Sequence, residues 1–280
     1  MKKYPLFLCT LCLLLIFSCK KSNSGNESAA TAASSYLSSV IAYSSQQRVI
    51  NSFSYDSSHR LDSFAQTVYD TTSGLPEYNT FLVQFIYQGA NTYPSYYNYY
   101  DTLQGNYGDY HLLSYDGQGR ISKDSSLSGS GYVDYFAYPN NNIASTVLWE
   151  GTAEDNQIDT LFITNGNTTA EHIYTSDIPG QPDDLQGAVN YGFSSIPNPG
   201  YHADISNSIG PLLTIIGIDG FGGAVDFISK DALSQVSGIG SGLPTGATIT
   251  YTLTKDSKGR LSTRSASYAG VTGSDVFNYY

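Results

Sequence analysis

From about residue 40 to its end the chain alternates apolar and polar residues with a period of two, as in "INSFSY" at 50–55 and "ITYTLT" at 249–254. Successive side chains of a strand point to opposite faces, so this alternation predicts strands with one buried side. The runs are short and are separated by turn residues: "QGAN" at 88–91, "YPNNNI" at 138–143 and "TNGN" at 164–167 supply the Gly and Asn that accept positive φ. Counting such signals predicts roughly twelve to fifteen strands, paired antiparallel in sequence order. One stretch departs from the rhythm. In 201–223 apolar residues fall at Ile205, Ile209, Leu212, Leu213 and Ile216, a helical spacing, with Pro211 at a helix start or a kink. A buried strand is the other reading of that run. The predicted fold is all-β: an antiparallel meander of many hairpins forming a large twisted, curved sheet or partly open barrel, with one or two short helices near 204–222 packed on it.

One heptad is written three times, as "YDSSHRL" at 55–61, "YDGQGRI" at 115–121 and "KDSKGRL" at 255–261. Three residues separate Asp56 from Arg60, Asp116 from Arg120 and Asp256 from Arg260. A three-residue hairpin loop is commonly a type I turn followed by one residue in the left-handed region. That last position falls on His59, Gly119 and Gly259; glycine has no Cβ penalty there, and His is enriched there among the other residues. The Asp is expected to cap the turn, and the Arg to meet it across the hairpin neck. The heptad is thus a corner and not a catalytic signature. The copies lie 60 and then 140 residues apart, which excludes a fixed-period solenoid.

Composition narrows the chemistry. Only 13% of the 280 residues are charged, and the formal charge is −11 without any Lys/Arg run, which argues against a nucleic-acid partner. The N-terminus begins with Lys2 and Lys3 and an apolar run from Pro5 to Phe17, too short to span a ~30 Å hydrocarbon core comfortably, as in an export signal. Ile16, Phe17, Ser18 and Cys19 resemble the lipobox of bacterial lipoproteins, which implies diacylation of Cys19 as the mature N-terminus. An uncleaved anchor or an ordinary secretory signal is the other reading. Of the three cysteines, Cys9, Cys12 and Cys19, only Cys19 survives cleavage, so no disulfide and no thiolate zinc site is expected. The chain then divides into a signal peptide over 1–18, a lipidated N-terminus and flexible tether over 19–38, and a single β-hairpin domain over 39–280. The resemblance implies a membrane attached through the N-terminal lipid. "KKSNSGNE" lacks the acidic tag common on surface lipoproteins of the Bacteroidota, which by the same resemblance implies the periplasmic face of the outer membrane.

The four histidines, His59, His111, His172 and His202, show no metal-ligand spacing, and no nucleophile elbow, phosphate loop or dinucleotide fingerprint occurs. The acidic stretches at 154–159 and 182–184 lack the spacing of a calcium loop. No catalytic residue, metal or cofactor is assigned. The feature that suggests binding is "NTYPSYYNYYDT" at 91–102, with Tyr93, Tyr96, Tyr97, Tyr99 and Tyr100 within eight positions. Tyrosine offers a flat apolar face and a hydroxyl, suited to stacking on sugars or contacting a protein partner, although a tyrosine-rich strand with both faces half-exposed is the favoured account of the run. "DTT" at 70–72 and "DTL" at 101–103 and 159–161 resemble the O-glycosylation triplet of exported Bacteroidota proteins.

The chain also resembles a family of Bacteroidota lipoproteins built from "YD…GR" hairpins. The resemblance is carried by "VNYGFSSIPNPGY" at 189–201, "ISKDAL" at 228–233 and "LTKDSKGRL" at 253–261, with Lys255 in place of Tyr before the third Asp. The turn grammar is also similar to that of YD-repeat proteins. The likeness implies a β-hairpin array and no activity. The expected role is a lipid-anchored, non-catalytic ligand- or partner-binding module of the envelope, related to glycans or to an envelope protein. A hydrophobic-ligand carrier, a structural spacer and, less favoured, a glycan-active hydrolase are the alternatives.

Overall fold

The computed structural model describes residues 36–76, 80–101, 107–128, 132–149, 156–176, 184–202, 205, 208–215, 226–239 and 247–280. The expected signal peptide, Cys19 and nearly all of the tether lie outside them, as do Glu154, Asp155, Pro182 and Asp183 of the two acidic stretches. Seventeen strand segments follow in order: β1 Leu37–Tyr43, β2 Gln47–Tyr55, β3 Leu61–Asp70, β4 Phe81–Ile86, β5 Tyr96–Asp101 and β6 Tyr107–Tyr115. Next come β7 Ile121–Ser126, β8 Tyr132–Ala137, β9 Ile143–Trp149, β10 Asn156–Thr164, β11 Asn167–Ser176 and β12 Asp184–Pro197. The helix α1, Gly210–Ile215, precedes β13 Asp231–Ile239, β14 Thr248–Thr250, β15 Thr252–Lys255, β16 Leu261–Tyr268 and β17 Val271–Tyr279. The tether expected through residue 38 therefore ends earlier, because Leu37 already opens a strand.

Pairing is antiparallel and sequential, as the short turn spacing predicts, with one long-range closure: β1 pairs with both β2 and β17. β14 and β15 are consecutive halves of one extended segment joined at Tyr251. The first half pairs with β13 and the second with β16, which accounts for one of the segments above the sequence expectation. The sheet curls until its two ends share this segment. Among the described residues no ladder joins β13 to β16, so the barrel is partly open and not closed.

The inward face is largely apolar, with a few buried polar groups such as Asp124 and Arg264. β4 alternates strictly, with Phe81, Val83 and Phe85 buried, and one cluster joins them to Val40, Phe53, Phe64, Leu113, Phe136 and Phe277. Ile205, Ile209, Leu212 and Leu213 belong to the same cluster. The Ile209 N–H donates to Ile205 O and Leu213 N–H to Ile209 O, at 2.9 and 3.0 Å, so the run is helical and the buried-strand reading is set aside. Pro211 is the second residue of α1, where its missing N–H is not needed. The insert is fastened to the sheet on its C-terminal side. Asn198 Nδ2 donates to the carbonyls of Asp226 and Ser229, Ser229 Oγ accepts the Thr168 N–H, and Asn167 and Asp231 exchange two hydrogen bonds. The Asn165-Gly166 turn, with φ of 54° and 81°, and the "ISKDAL" run thus meet.

After each heptad corner the strand phase slips. β3, β7 and β16 all begin buried, intermediate, intermediate, buried, with a register irregularity at the corner. The residue three places beyond the corner's apolar residue therefore points inward: Phe64, Asp124 and Arg264 occupy equivalent places. The corners have the anticipated dihedrals, with φ of 61° at His59, 77° at Gly119 and 79° at Gly259. A Cβ at Gly259 meets nothing, whereas one at Gly119 lands on the Tyr93 hydroxyl. Gly259→Ala is expected to cost about 1 kcal/mol, the left-handed penalty alone. Gly119→Ala should cost measurably more, because Tyr93 must move as well. Urea midpoints of the two variants provide the comparison, and equal midpoints would show that Tyr93 yields freely.

Candidate functional site

Each corner is closed by a clasp with a third member. Asp56 Oδ1 accepts the Ser58 and Arg60 N–H groups at 2.8 and 2.9 Å, and Oδ2 takes Arg60 Nε at 2.7 Å and Nη2 at 2.6 Å. Asp116 with Arg120 and Asp256 with Arg260 repeat the arrangement. Each guanidinium then lies over a tyrosine on the next strand or just beyond its end: Arg60 on Tyr87 at 4.2 Å, Arg120 on Tyr138 at 3.9 Å, Arg260 on Tyr279 at 3.9 Å. Those tyrosines donate to the carbonyls of Leu61, Ile121 and Leu261 at 2.9, 2.7 and 2.7 Å. Burial raises all three phenol pKa values, which keeps them donors. The three carboxylates titrate below their ordinary value: a slight burial cost is outweighed by hydrogen bonds from the Arg and from the turn N–H groups. Such a group stabilises the fold above its unfolded pKa and loses that contribution only as pH falls through the lowered folded value, so the clasps open in acid alone.

The tyrosine-rich run is divided by strand alternation. Tyr97 and Tyr99 face the core side of β5, with Tyr97 3% exposed; Tyr96 and Tyr100 share the opposite face and are half-buried. Tyr93 precedes the strand on a loop. The five do not form one platform. Tyr93 instead lines an open cleft of about 630 Å³ with Gln88, Asn91, Thr92, Ser95 and Tyr115. The loop is held on several sides. Tyr93 stacks on Tyr115 with ring centroids 5.2 Å apart, the Tyr115 hydroxyl donates to Pro94 O at 2.7 Å, and Arg60 Nη1 donates to Asn91 O at 2.6 Å. Ser95 N–H donates to Ile86 O, and Ser95 O accepts the Leu113 N–H. The cleft thus sits beside the first two heptad corners, where Gly119 leaves room for the Tyr93 hydroxyl.

A second cluster is buried inside. Tyr97 donates to Asp124 Oδ2 at 2.8 Å, His111 Nδ1 is 2.9 Å from Asp124 Oδ1, and His111 Nε2 is 3.3 Å from Asp109 Oδ2. The Tyr97 and His111 rings stack at 4.4 Å. Asp109, at the outer end, also accepts hydrogen bonds from Ser126 and Ser128. These, with His111, outweigh its partial burial and lower its pKa. A third cluster joins Arg264 to Asp226 through two bonds of 3.1 and 3.0 Å and to Asp275 through one of 2.7 Å. Among the described residues no three His, Cys, Asp or Glu side chains are placed to share a metal.

Sequence reasoning found the Asp and Arg of the clasps but not Tyr87, Tyr138 and Tyr279, nor His111, Asp124 and Arg264. The tyrosines share a place in the topology, each following its heptad after one intervening strand, but at no fixed sequence distance. No family model matches the chain, and no curated protein matches it. In fold it is similar to a porin-like protein from Bacteroides vulgatus, 10% identical, covering 88% of this chain and 98% of that one, with a TM-score of 0.45. It is also similar to a porin-like protein from Bacteroides uniformis, 15% identical, covering 89% of this chain and all of that one, with a TM-score of 0.52, a likeness of fold.

Proposed function

We propose that this chain is a lipid-anchored envelope protein, attached through Cys19 to the periplasmic side of the outer membrane, whose curled sheet is a water-facing, non-catalytic binding module. The observation that carries this reading is the polarity of the sheet. A transmembrane barrel needs an apolar outer band and a polar lumen. Here the inward face is mainly apolar, with Phe53, Phe64, Phe81, Val83 and Phe85, and the outward face mixes exposed Arg48, Ser52 and Ser54 of β2 with apolar side chains such as Leu112 and Val271. The similarity of fold to the porin-like protein from Bacteroides uniformis accordingly supports an envelope setting more than a pore. The cleft beside the heptad corners is the binding site in this reading. Its lining carries no carboxylate, imidazole or thiol, whereas glycoside hydrolysis needs two carboxylates across the bond. The His111 cluster holds acid and base groups, but Tyr97, His111 and Asp124 are 3, 8 and 1% exposed, which keeps a substrate from them.

Two measurements test the proposal together. Metabolic labelling with a palmitate analogue should tag the wild type and not Cys19→Ala, and the variant should leave the membrane fraction. Purified protein added to planar bilayers should give no conductance steps. Labelled Cys19→Ala, or reproducible channels, would sink the reading.

A further inference from the structure

We propose that the cleft beside residues 88–95 takes a neutral, ring-shaped polyol, that is, an uncharged saccharide of one or two rings; this rests on the binding reading above and names its ligand class. The cleft's volume of about 630 Å³ lies within the range of small-molecule sites. Its chemistry is what distinguishes the candidates. Tyr93 and Tyr115 offer aromatic surface beside the apolar Ala90, Pro94, Leu112 and Leu113, while Gln88, Asn91, Thr92 and Ser95 place amides and hydroxyls around it, and no lining side chain is charged. A sugar presents the matching pair, a weakly apolar C–H face and a rim of hydroxyls that both donate and accept.

Other ligand classes find less. An anion needs a cation, and the Arg60 guanidinium beside the cleft is already committed to Asp56, to Asn91 O and to the Tyr87 ring. A metal ion or an amine needs a carboxylate, and the lining has none. An added peptide strand needs free backbone groups, yet the N–H and carbonyl of both Asn91 and Ser95 and the Pro94 carbonyl are used. The loop is also pre-organised: ring stacking and hydrogen bonds from Tyr115 and Arg60 fix it without a ligand, so little ordering cost remains on binding.

The test is a glycan array probed with the full-length lipoprotein in detergent, carrying neutral, uronic-acid and sulfated oligosaccharides, followed by calorimetric titration of the best neutral glycan. Neutral glycans should bind in preference to charged ones. Tyr93→Ala and Asn91→Ala should each weaken binding by about fivefold or more, while Tyr93→Phe, which keeps the ring, stays within about threefold. Asn91 is exposed and leaves its backbone carbonyl to Arg60, so its loss reports on the cleft and not on folding. Tyr135→Ala, on the exposed face of β8, should change nothing. Preference for charged glycans, no binding to any neutral glycan, or unchanged affinity in both Tyr93→Ala and Asn91→Ala would overturn the assignment. If charged glycans bind and both substitutions weaken them, the ligand class is wrong and the binding module stands. Hydrolysis of a bound glycan would overturn the non-catalytic reading instead.

Discussion

Replacing Arg264 by alanine is expected to destabilise the domain by about 3–5 kcal/mol, the cost of breaking a buried ion pair and leaving its partners charged. Arg264 is 1% exposed, and its guanidinium serves two carboxylates, Asp226 from the insert and Asp275 from the neighbouring strand. Burial works against its charge, but the two carboxylates more than offset this and hold it protonated. Asp275 shows the other side of the balance: burial raises its pKa, and Arg264 only partly counters that. Removing the cation alone therefore strands two acids in the interior. Removing all three charges does not, so Arg264→Met with Asp226→Asn and Asp275→Asn should recover most of the loss. Urea unfolding followed by circular dichroism supplies the measurement, with an unchanged m-value showing that stability alone has moved. A single variant within about 0.5 kcal/mol of wild type, the range of ordinary surface substitutions, would show that the cluster is relaxed by water.

That cluster also marks where sequence reading stops. Turns are legible because their demands are local: a left-handed position needs Gly, Asn or His, and His59, Gly119, Asn165 and Gly259 announce themselves. Ala269, with φ of 51°, does not, since nothing in an alanine suggests a positive dihedral. The inward charges are hidden by the phase slip after each corner. Strict alternation from Leu61, Ile121 and Leu261 places Ser63, Lys123 and Thr263 inside, and the structure places Phe64, Asp124 and Arg264 there. Within β5, where no slip occurs, period two correctly separates Tyr97 and Tyr99 from Tyr96 and Tyr100. The clasping tyrosines depend on a partner strand at variable distance, from Arg60 to Tyr87 but only from Arg120 to Tyr138, and no fixed motif encodes that. The cleft is only half legible: the 91–102 run contains its Asn91–Ser95 wall, but not the wall opposite. Its walls come from the 88–95 loop and from β6, which only the folded hairpins bring together.

Leu212→Ala should cost about 2–5 kcal/mol, as large-to-small changes do in a packed interior. Leu212 is fully buried in the cluster that also contains Phe53, Phe64 and Phe277, so α1 is part of the core by contact. The size of the loss separates two accounts of the interior. If α1 fills the curled sheet permanently, truncating Leu212 leaves a cavity that the rigid strands cannot close, and the full penalty appears in the global unfolding transition. If α1 is instead a displaceable cover over a lipid-binding lumen, the rest of the sheet should unfold nearly as before, with a loss below about 1 kcal/mol and a gain in binding of a hydrophobic dye. Leu112→Ala, at a position 47% exposed on β6, sets the scale for a side chain outside the core and should change stability by no more than about 0.5 kcal/mol. A large Leu212 effect with unchanged dye binding favours a filled interior and leaves the surface cleft as the place where a ligand can be held. A small effect with increased dye binding transfers the functional argument from Tyr93 to the inside of the sheet.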